Sequence, residues 1–237
     1  MDTKLVWQWK HKMTRDEALL ATRLILRSMR EGASFNWGTE AEVYMKIARS
    51  QLGTLTSAKG FIGKLSWVGL SSEVIAKDPS LSSSDFVKWI LKGAPEPDKG
   101  TGKVNCWEMV LFSAFKGGFT TKKRIEDMYN EAVKHVKAGT RSLIGDTIEI
   151  ELRRGNEYVF DPKDPKSPEP LPGDIVIFSK AAKHTAISLG TKSGGEHDII
   201  SHWPPPDGSF KAKKTTIEKL LGEMGSGNVI KFWSPKW

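Results

Sequence analysis

The chain has few cysteines and no long apolar segment. Its 237 residues include a single cysteine, Cys106, so an intramolecular disulfide and a multi-cysteine zinc site are excluded. No apolar run approaches the roughly 20 residues that a membrane-spanning helix needs. The first residues, MDTKLVWQWKHKMTRDEA, lack the apolar core of a secretory signal peptide. We therefore expect no transmembrane segment and no such peptide, while export by another route stays open.

The chain does have an excess of positive charge. Lysine and arginine number 36 against 28 acidic residues, which gives a net charge of +8. Such a balance favours anionic partners such as nucleic acid, an anionic lipid surface or an acidic wall polymer; a merely solvated surface is the alternative. The lysines are spread along the chain without an Arg-rich block or an aromatic platform, so specific nucleic-acid binding is not predicted.

The first hundred residues have the pattern of helices separated by loops. Thr14 with Glu17 predicts a capping box before an apolar helix. Thr39 with Glu42 opens a second helix, which Gly53 should end. A cluster of helix breakers, GAPEPDKG, follows at 93–100 and marks a boundary or a surface loop. We therefore divide the chain into a helical N-terminal region at 1–95, packed on or attached to a second region at 96–237.

The second region has the pattern of two helices followed by antiparallel strands. Asn105 predicts the N-cap of an apolar helix that opens with Cys106, and Glu108 completes a capping box. Another helix is predicted at 123–138. Alternating or apolar segments predict strands at 148–152, 158–160, 175–178, 185–189, 198–202 and 229–233. The expected fold class is α+β, a helix-plus-antiparallel-sheet domain with an N-terminal helical region.

Cys106 is the first candidate for chemistry. At the first turn of a helix, backbone N–H groups and the helix dipole favour a thiolate. The same N–H groups could hold an oxyanion while a carbonyl is attacked. A cysteine nucleophile needs a neighbouring base, for which histidine is the usual choice. The alternative is that Cys106 packs in the core like an alanine.

His184 is the candidate base. It heads the strand His-Thr-Ala-Ile-Ser-Leu-Gly, and the preceding strand opens with Pro-Gly-Asp-Ile-Val-Ile-Phe at 172–178. A polar residue at the entrance of a strand can face a groove while the following residues are buried. By itself, a histidine in this position is equally compatible with a hydrogen-bonded residue at a sheet edge.

Together these segments resemble the NlpC-type branch of the papain-like cysteine peptidases. The order is Asn105-Cys106 opening an apolar helix, then the Pro-Gly-Asp strand, then the strand headed by His184, and the resemblance covers about residues 100 to 205. It implies a papain-like fold with a Cys nucleophile and a His base. In this chain the sequence Asn-Cys-Trp-Glu replaces the family's usual Asp-Cys-Ser-Gly. This departure makes the chain more similar to the divergent family members found in bacterial toxins and secreted effectors.

A third residue should hold the ring of His184 through its other nitrogen. His202 is the first choice and Ser201 its rival, because alternation puts them on opposite faces of a strand whose register the sequence does not fix. Asn105, Trp107 and Trp203 are candidate substrate-binding residues. A metal site of His184, His197 and His202 is not predicted, because its spacing matches no zinc pattern, and no cofactor is expected.

Three hypotheses of function follow. The resemblance implies amide hydrolysis in the stem peptides of peptidoglycan by a secreted toxin, acting in a target cell's periplasm or in a host cell, with an immunity or delivery protein as partner. The same site could instead perform deamidation, transglutamination or acyl transfer on a host protein or lipid. The third hypothesis is a basic binding module, cytoplasmic or not, in which Cys106 is structural.

Overall fold

Side-chain caps fix where most of the helices begin. In a computed structural model, which describes residues 13–34, 40–179, 184–203, 210–225 and 227–237, Thr14 and Glu17 form the expected capping box. Asn105 and Glu108 form another at the helix that opens with Cys106. A cap satisfies backbone N–H groups that have no partner inside the helix, so these residues set the first turn of each helix.

The described residues form helices followed by a sheet. The helices of the first part are α1 (Arg15–Arg30), α2 (Ala41–Lys59), α3 (Ser72–Lys77), α4 (Asp85–Lys92), α5 (Cys106–Lys116), α6 (Lys122–Lys137) and α7 (Ile144–Leu152). Strands β1 (Ser66–Trp67) and β2 (Lys103–Val104) form a short parallel pair. The rest comprises β3 (Arg153–Phe160), β4 (Ile175–Phe178), β5 (His184–Ser193), β6 (Glu196–Ser201), β7 (Lys213–Thr216), α8 (Ile217–Met224) and β8 (Ile230–Pro235).

The main sheet has six antiparallel strands in the order β3-β8-β4-β5-β6-β7. The C-terminal strand β8 is inserted between β3 and β4, so the sheet is not a simple meander. The structure therefore has the expected α+β class. None of the helices within the described ranges has the length and apolar character needed to cross a membrane.

The two faces of this sheet belong to different cores. Ile175, Ile177 and Ile187 lie on one face and pack in the large cluster that includes helix α5. Val176 and Ala186 lie on the other face, with residues of α8. Strand alternation sends successive side chains to opposite faces, so position along a strand decides which residues can meet α5.

The large core crosses the boundary that we placed at residue 95. Leu55, Phe61 and Phe86 from the first region pack in the same cluster as Phe112 and Tyr129 from the second. The rings of Phe61 and Phe112 are stacked with centroids 5.2 Å apart. The helices before residue 95 thus supply part of the hydrophobic core under α5.

A buried carboxylate joins helices α1 and α2 to the sheet. Asp174 is fully buried and accepts hydrogen bonds from Arg27, Gln51, Ser234 and the backbone N–H of Leu171. The Pro-Gly-Asp segment therefore has a structural role. Gly173 adopts φ +80°, and a Cβ there would lie 2.7 Å from the Cβ of Gln51, so helix α2 and this turn approach closely because position 173 is glycine.

Gly53 does not end the second helix, so that prediction was wrong. Helix α2 continues to Lys59, and a Cβ at position 53 would lie only 2.0 Å from the ring of Phe119. The glycine admits an aromatic ring against the helix backbone. Thr39, the expected start of this helix, lies outside the described residues; the helix begins at Ala41.

The strand predicted at 148–152 is also wrong, because this segment is the end of helix α7. Ile144, Ile148 and Leu152, spaced by four, are fully buried, whereas Ile150 is 47% exposed. The buried residues follow the helical period. The sequence had suggested a strand because Ile148, Ile150 and Leu152 are apolar at every second position, although Ile150 faces solvent.

Candidate functional site

Cys106 is the first residue of α5 and lies where this helix meets the strand β5. Its residue surface is 8% exposed, and it belongs to the large hydrophobic cluster. The backbone N–H groups of Thr185 and Trp107 lie near the sulfur and favour its thiolate form. The contact to Thr185 brings the only thiol of the chain against the residue that directly follows His184.

Burial dominates the acidity of this thiol. It raises the pKa of Cys106 to about 11, while the nearby N–H groups lower the pKa and the carboxyl of Glu108 raises it. The N–H groups at the start of α5 favour the thiolate, as expected, but desolvation outweighs them. At neutral pH the resting residue is a protonated thiol.

The buried carboxyl of Glu108 connects the start of α5 to neighbouring parts of the core. Its Oε2 accepts hydrogen bonds from the backbone N–H of Asn105 at 2.8 Å and from the hydroxyl of Ser84 at 2.7 Å, and its Oε1 accepts one from Tyr129 at 3.3 Å. Burial raises the pKa of this carboxyl to about 7. Such a network fixes the backbone on which Cys106 is mounted.

His184 is completely buried at the first position of β5, opposite Phe178. Its Nε2 lies 2.9 Å from the hydroxyl oxygen of Ser201, and its Nδ1 has no hydrogen-bond partner. Burial, and then the charge of the neighbouring His202, lower its pKa to about 3. The imidazole is therefore neutral at pH 7, with Nε2 next to Ser201 and Nδ1 buried without a partner.

Cys106 lies near the backbone of Thr185, the residue after His184, and no hydrogen bond joins the thiol to the imidazole. Alternation along β5 places the ring of His184 on the face shared with Phe178 and Ser201, whereas Thr185 lies on the face covered by α5. His184 is at the very end of the strand, where the sulfur meets the Thr185 N–H. A contact between the thiol and the imidazole would therefore have to form around the end of β5.

Ser201, and not His202, is the residue that holds His184. His202 follows Ser201 and, by alternation, its side chain lies on the α5 face of the sheet. Burial lowers its pKa to about 4, although the carbonyl groups of Asn105 and Phe210 act in the opposite direction. Neither of its nitrogens forms a hydrogen bond of good geometry. His202 is therefore a buried neighbour of Asn105 and not the partner of His184 that we expected.

The three candidate substrate-binding residues meet at one cavity. Asn105, Cys106, Trp107 and Trp203 are among the residues that line a space of about 100 Å³. The ring of Trp203 also lies 4.9 Å from that of His184, centroid to centroid. Trp203 thus contacts the histidine and lines the cavity next to the thiol.

Thr185 and Glu108 are the site residues whose roles the sequence did not reveal. Thr185 affects the Cys106 thiol through its backbone N–H. Any residue type except proline could provide this N–H, so the sequence does not indicate the role. Glu108 was predicted as a capping residue, but its burial and its contacts to Ser84 and Tyr129 depend on tertiary packing. Within the described ranges, no three His, Cys, Asp or Glu side chains are grouped so that they could hold a metal ion, and Nδ1 of His197 lies 2.6 Å from Glu218.

Comparison of the whole chain with protein-family models, with curated proteins and with solved structures gave no match. The chemistry of the site is therefore argued from its own geometry. That geometry provides a buried thiol at a helix N-terminus, a neutral histidine oriented by a serine, and a small cavity beside the sulfur.

Proposed function

We propose that this chain is a papain-like cysteine hydrolase of the NlpC type, which cleaves an amide bond with Cys106 as nucleophile and His184 as base. The observation that supports this proposal most is that the backbone N–H of Thr185, the residue after His184, lies near the sulfur and favours its thiolate, while Ser201 holds the ring of His184. A nucleophile, a base and an orienting group in this order are what acyl transfer through cysteine requires.

The role of a base requires one particular tautomer of His184, and substrate binding must raise the low pKa of its ring. When Nε2 carries the hydrogen and donates a hydrogen bond to Ser201, the lone pair of Nδ1 can accept a proton. Nδ1 has no partner in the resting structure. The proposal requires the tautomer in which Ser201 is the acceptor of this hydrogen bond.

The reaction then starts from a neutral pair. Nδ1 of His184 takes the thiol proton as the sulfur of Cys106 attacks the carbonyl carbon, and N–H groups of the first turn of α5 stabilise the oxyanion. The imidazolium next protonates the leaving amine, so that the C–N bond breaks and a thioester remains. Water, deprotonated by the same nitrogen, attacks the thioester and restores the thiol.

Peptidoglycan stem peptides are the proposed substrate, on the basis of the sequence resemblance and of the net charge of +8, which suits an anionic wall polymer. A toxin delivered into a target cell would act in the periplasm. The helices before residue 95 would then serve for delivery, for contact with an immunity protein or for supporting the catalytic part.

Expression in a bacterium tests this proposal. We expect the wild-type chain to lyse cells when it is directed to the periplasm and to be harmless in the cytoplasm, because its substrate is in the wall. Cys106→Ala should abolish lysis. Ser113→Ala, a matched change in the same helix at a buried hydroxyl that bonds only the carbonyl of Met109, should leave lysis unchanged. The readouts are culture density and the release of soluble wall fragments.

Other outcomes favour the remaining hypotheses. Toxicity in the cytoplasm that depends on Cys106, with ammonia release or acyl transfer, would replace wall hydrolysis by deamidation, transglutamination or acyl transfer at the same site. Toxicity that persists in Cys106→Ala would contradict the hydrolase altogether and favour a binding module.

A further inference from the structure

Helix α1 has a second apolar row on the side that faces away from the core. Three large apolar residues there are about half exposed: Leu19 is 59%, Leu26 is 49% and Met29 is 46% exposed. Their spacings of seven and three residues place them along one side of the helix, with the exposed Thr22 between them. We call this side the outer face of α1. Single exposed apolar residues are ordinary, whereas a contiguous row of them marks an interaction site.

Arginines border this apolar row. Arg23 lies four positions after Leu19, and Arg30 lies four positions after Leu26, so each arginine is a surface neighbour of a leucine. Arg15 lies four positions before Leu19. None of these three arginines forms an ion pair or a side-chain hydrogen bond with another described residue. The outer face thus combines an apolar row with cations whose charge is not balanced within the described part of the chain.

The acidic residues near the outer face do not cancel this charge. Glu17 forms an ion pair with a residue of α2, and Glu31 accepts a hydrogen bond from a residue of β3. Asp16 is exposed in the first turn of α1, about two turns before Arg23. The second half of the outer face, which includes Arg23 and Arg30, is therefore positively charged.

A groove between α1 and the proline-rich loop before β4 adds to this basic surface. It has a volume of about 580 Å³, and Arg23, Arg30 and Lys166 are among the residues that line it. Lys166 is exposed, and its amino group has no partner among the described residues. Glu169, an acidic residue of the same lining, is already paired with Lys192. The groove therefore extends the positive charge of the outer face.

We infer that the outer face of α1 docks this protein on an anionic lipid surface. The apolar row enters the boundary between headgroups and acyl chains, while the bordering cations contact lipid phosphates. The helix has 16 residues, so it offers a ridge about 24 Å long that a flat surface can meet. This inference goes beyond the proposed hydrolase and does not depend on it.

A second copy of the chain is a poorer occupant of this face. Pairing two outer faces would bring Arg23 and Arg30 of both copies together, and like charges placed against each other are costly. The net charge of +8 adds to this repulsion. An anionic lipid surface covers the same apolar row and supplies the opposite charge.

Co-sedimentation with lipid vesicles tests the apolar part of the inference. Vesicles with equal parts of phosphatidylglycerol and phosphatidylcholine should pellet the wild-type chain. Leu19→Asn combined with Leu26→Asn should weaken this binding at least about tenfold, because less apolar surface leaves water. Leu81→Asn combined with Ile150→Asn is the matched control, since these residues are 65% and 47% exposed on other elements; it should leave binding unchanged.

A second pair of variants tests the charge. Arg23→Gln combined with Arg30→Gln should weaken binding to the anionic vesicles at least about tenfold, because each cation near the surface adds to the attraction. Lys77→Gln combined with Lys137→Gln removes the same net charge at exposed positions of α3 and α6 and should weaken binding less than about threefold. Thermal unfolding of each variant, followed by circular dichroism, shows that it remains folded.

Vesicles of phosphatidylcholine alone should bind the wild type at least about tenfold more weakly, and added salt should release it from the anionic vesicles. The inference is overturned if anionic vesicles do not bind the protein, if both kinds of vesicle bind it equally, or if the control pairs lose as much binding as the outer-face pairs. A dimer that is lost in the Leu19 and Leu26 variant, without vesicle binding, would identify a second copy as the occupant instead.

Discussion

Asp174→Ala should lower the free energy of unfolding by about 3–5 kcal/mol, the cost of removing one partner from a buried ion pair. Asp174 is fully buried and lies 2.7 Å from the guanidinium of Arg27. Removal of the carboxylate leaves the charge of Arg27 without its counter-ion and leaves Gln51 and Ser234 without a shared acceptor. Helices α1 and α2 should then detach from the sheet more easily.

Urea unfolding followed by tryptophan fluorescence measures this loss. Asp127→Ala is the matched control, since Asp127 is exposed and its ion pair with Lys123 lies within one helix; it should cost less than about 1 kcal/mol. Equal and small losses in the two variants would show that the Asp174 network does not hold the N-terminal helices.

Alkylation of Cys106 by iodoacetamide should be slow at pH 7 and should accelerate about tenfold for each pH unit until the pH approaches 11. The reactive species is the thiolate, and burial raises the pKa of Cys106 to about 11. Below this pH the thiol is protonated, so the rate rises with pH. Against an ordinary cysteine of pKa about 8.5, the thiolate fraction at pH 7 is lower by about 300-fold.

The same chain unfolded in urea provides the reference rate for this experiment, since its only thiol is then solvated. Mass spectrometry of the intact protein gives the extent of labelling at each pH. A rate that reaches its plateau below pH 8 in the folded protein would show that the thiolate is already formed and that the neutral starting pair is wrong.

The start of α5 could be predicted from the sequence because its determinants are local. Asn105 and Glu108 are three positions apart, and the capping box that they form depends on nothing outside that turn. The apolar strand of residues 175–178 was predictable for a similar reason, since β4 is buried on both faces. Their tertiary partners could not be read from such local signals.

Register and close packing were the parts that the sequence could not supply. The choice between Ser201 and His202 depended on which residue of β6 faces His184, and only the pairing of Ala186 with Ser201 decides it. Gly53 resembled a helix stop because its role, contact with the ring of Phe119, depends on a residue 66 positions away.

The acidity of the thiol could be predicted only in part, for a physical reason of the same kind. A helix N-terminus lowers a thiol pKa by its N–H groups, which are local. Burial between α5 and the sheet raises the pKa of the Cys106 thiol, and this burial depends on the complete fold. The sequence therefore indicated the local effect on the Cys106 pKa but not the larger effect of burial.

Acylation of the protein by p-nitrophenyl acetate at pH 7, followed by intact mass and peptide mapping, tests most directly whether Cys106 and His184 act together. In the wild type we expect one acetyl group on Cys106. His184→Ala should slow its formation by about 10²–10⁴-fold, as expected for loss of a general base, and His202→Ala by much less. An unchanged acylation rate in His184→Ala, or an acetyl group found only on other residues, would contradict the proposed pair.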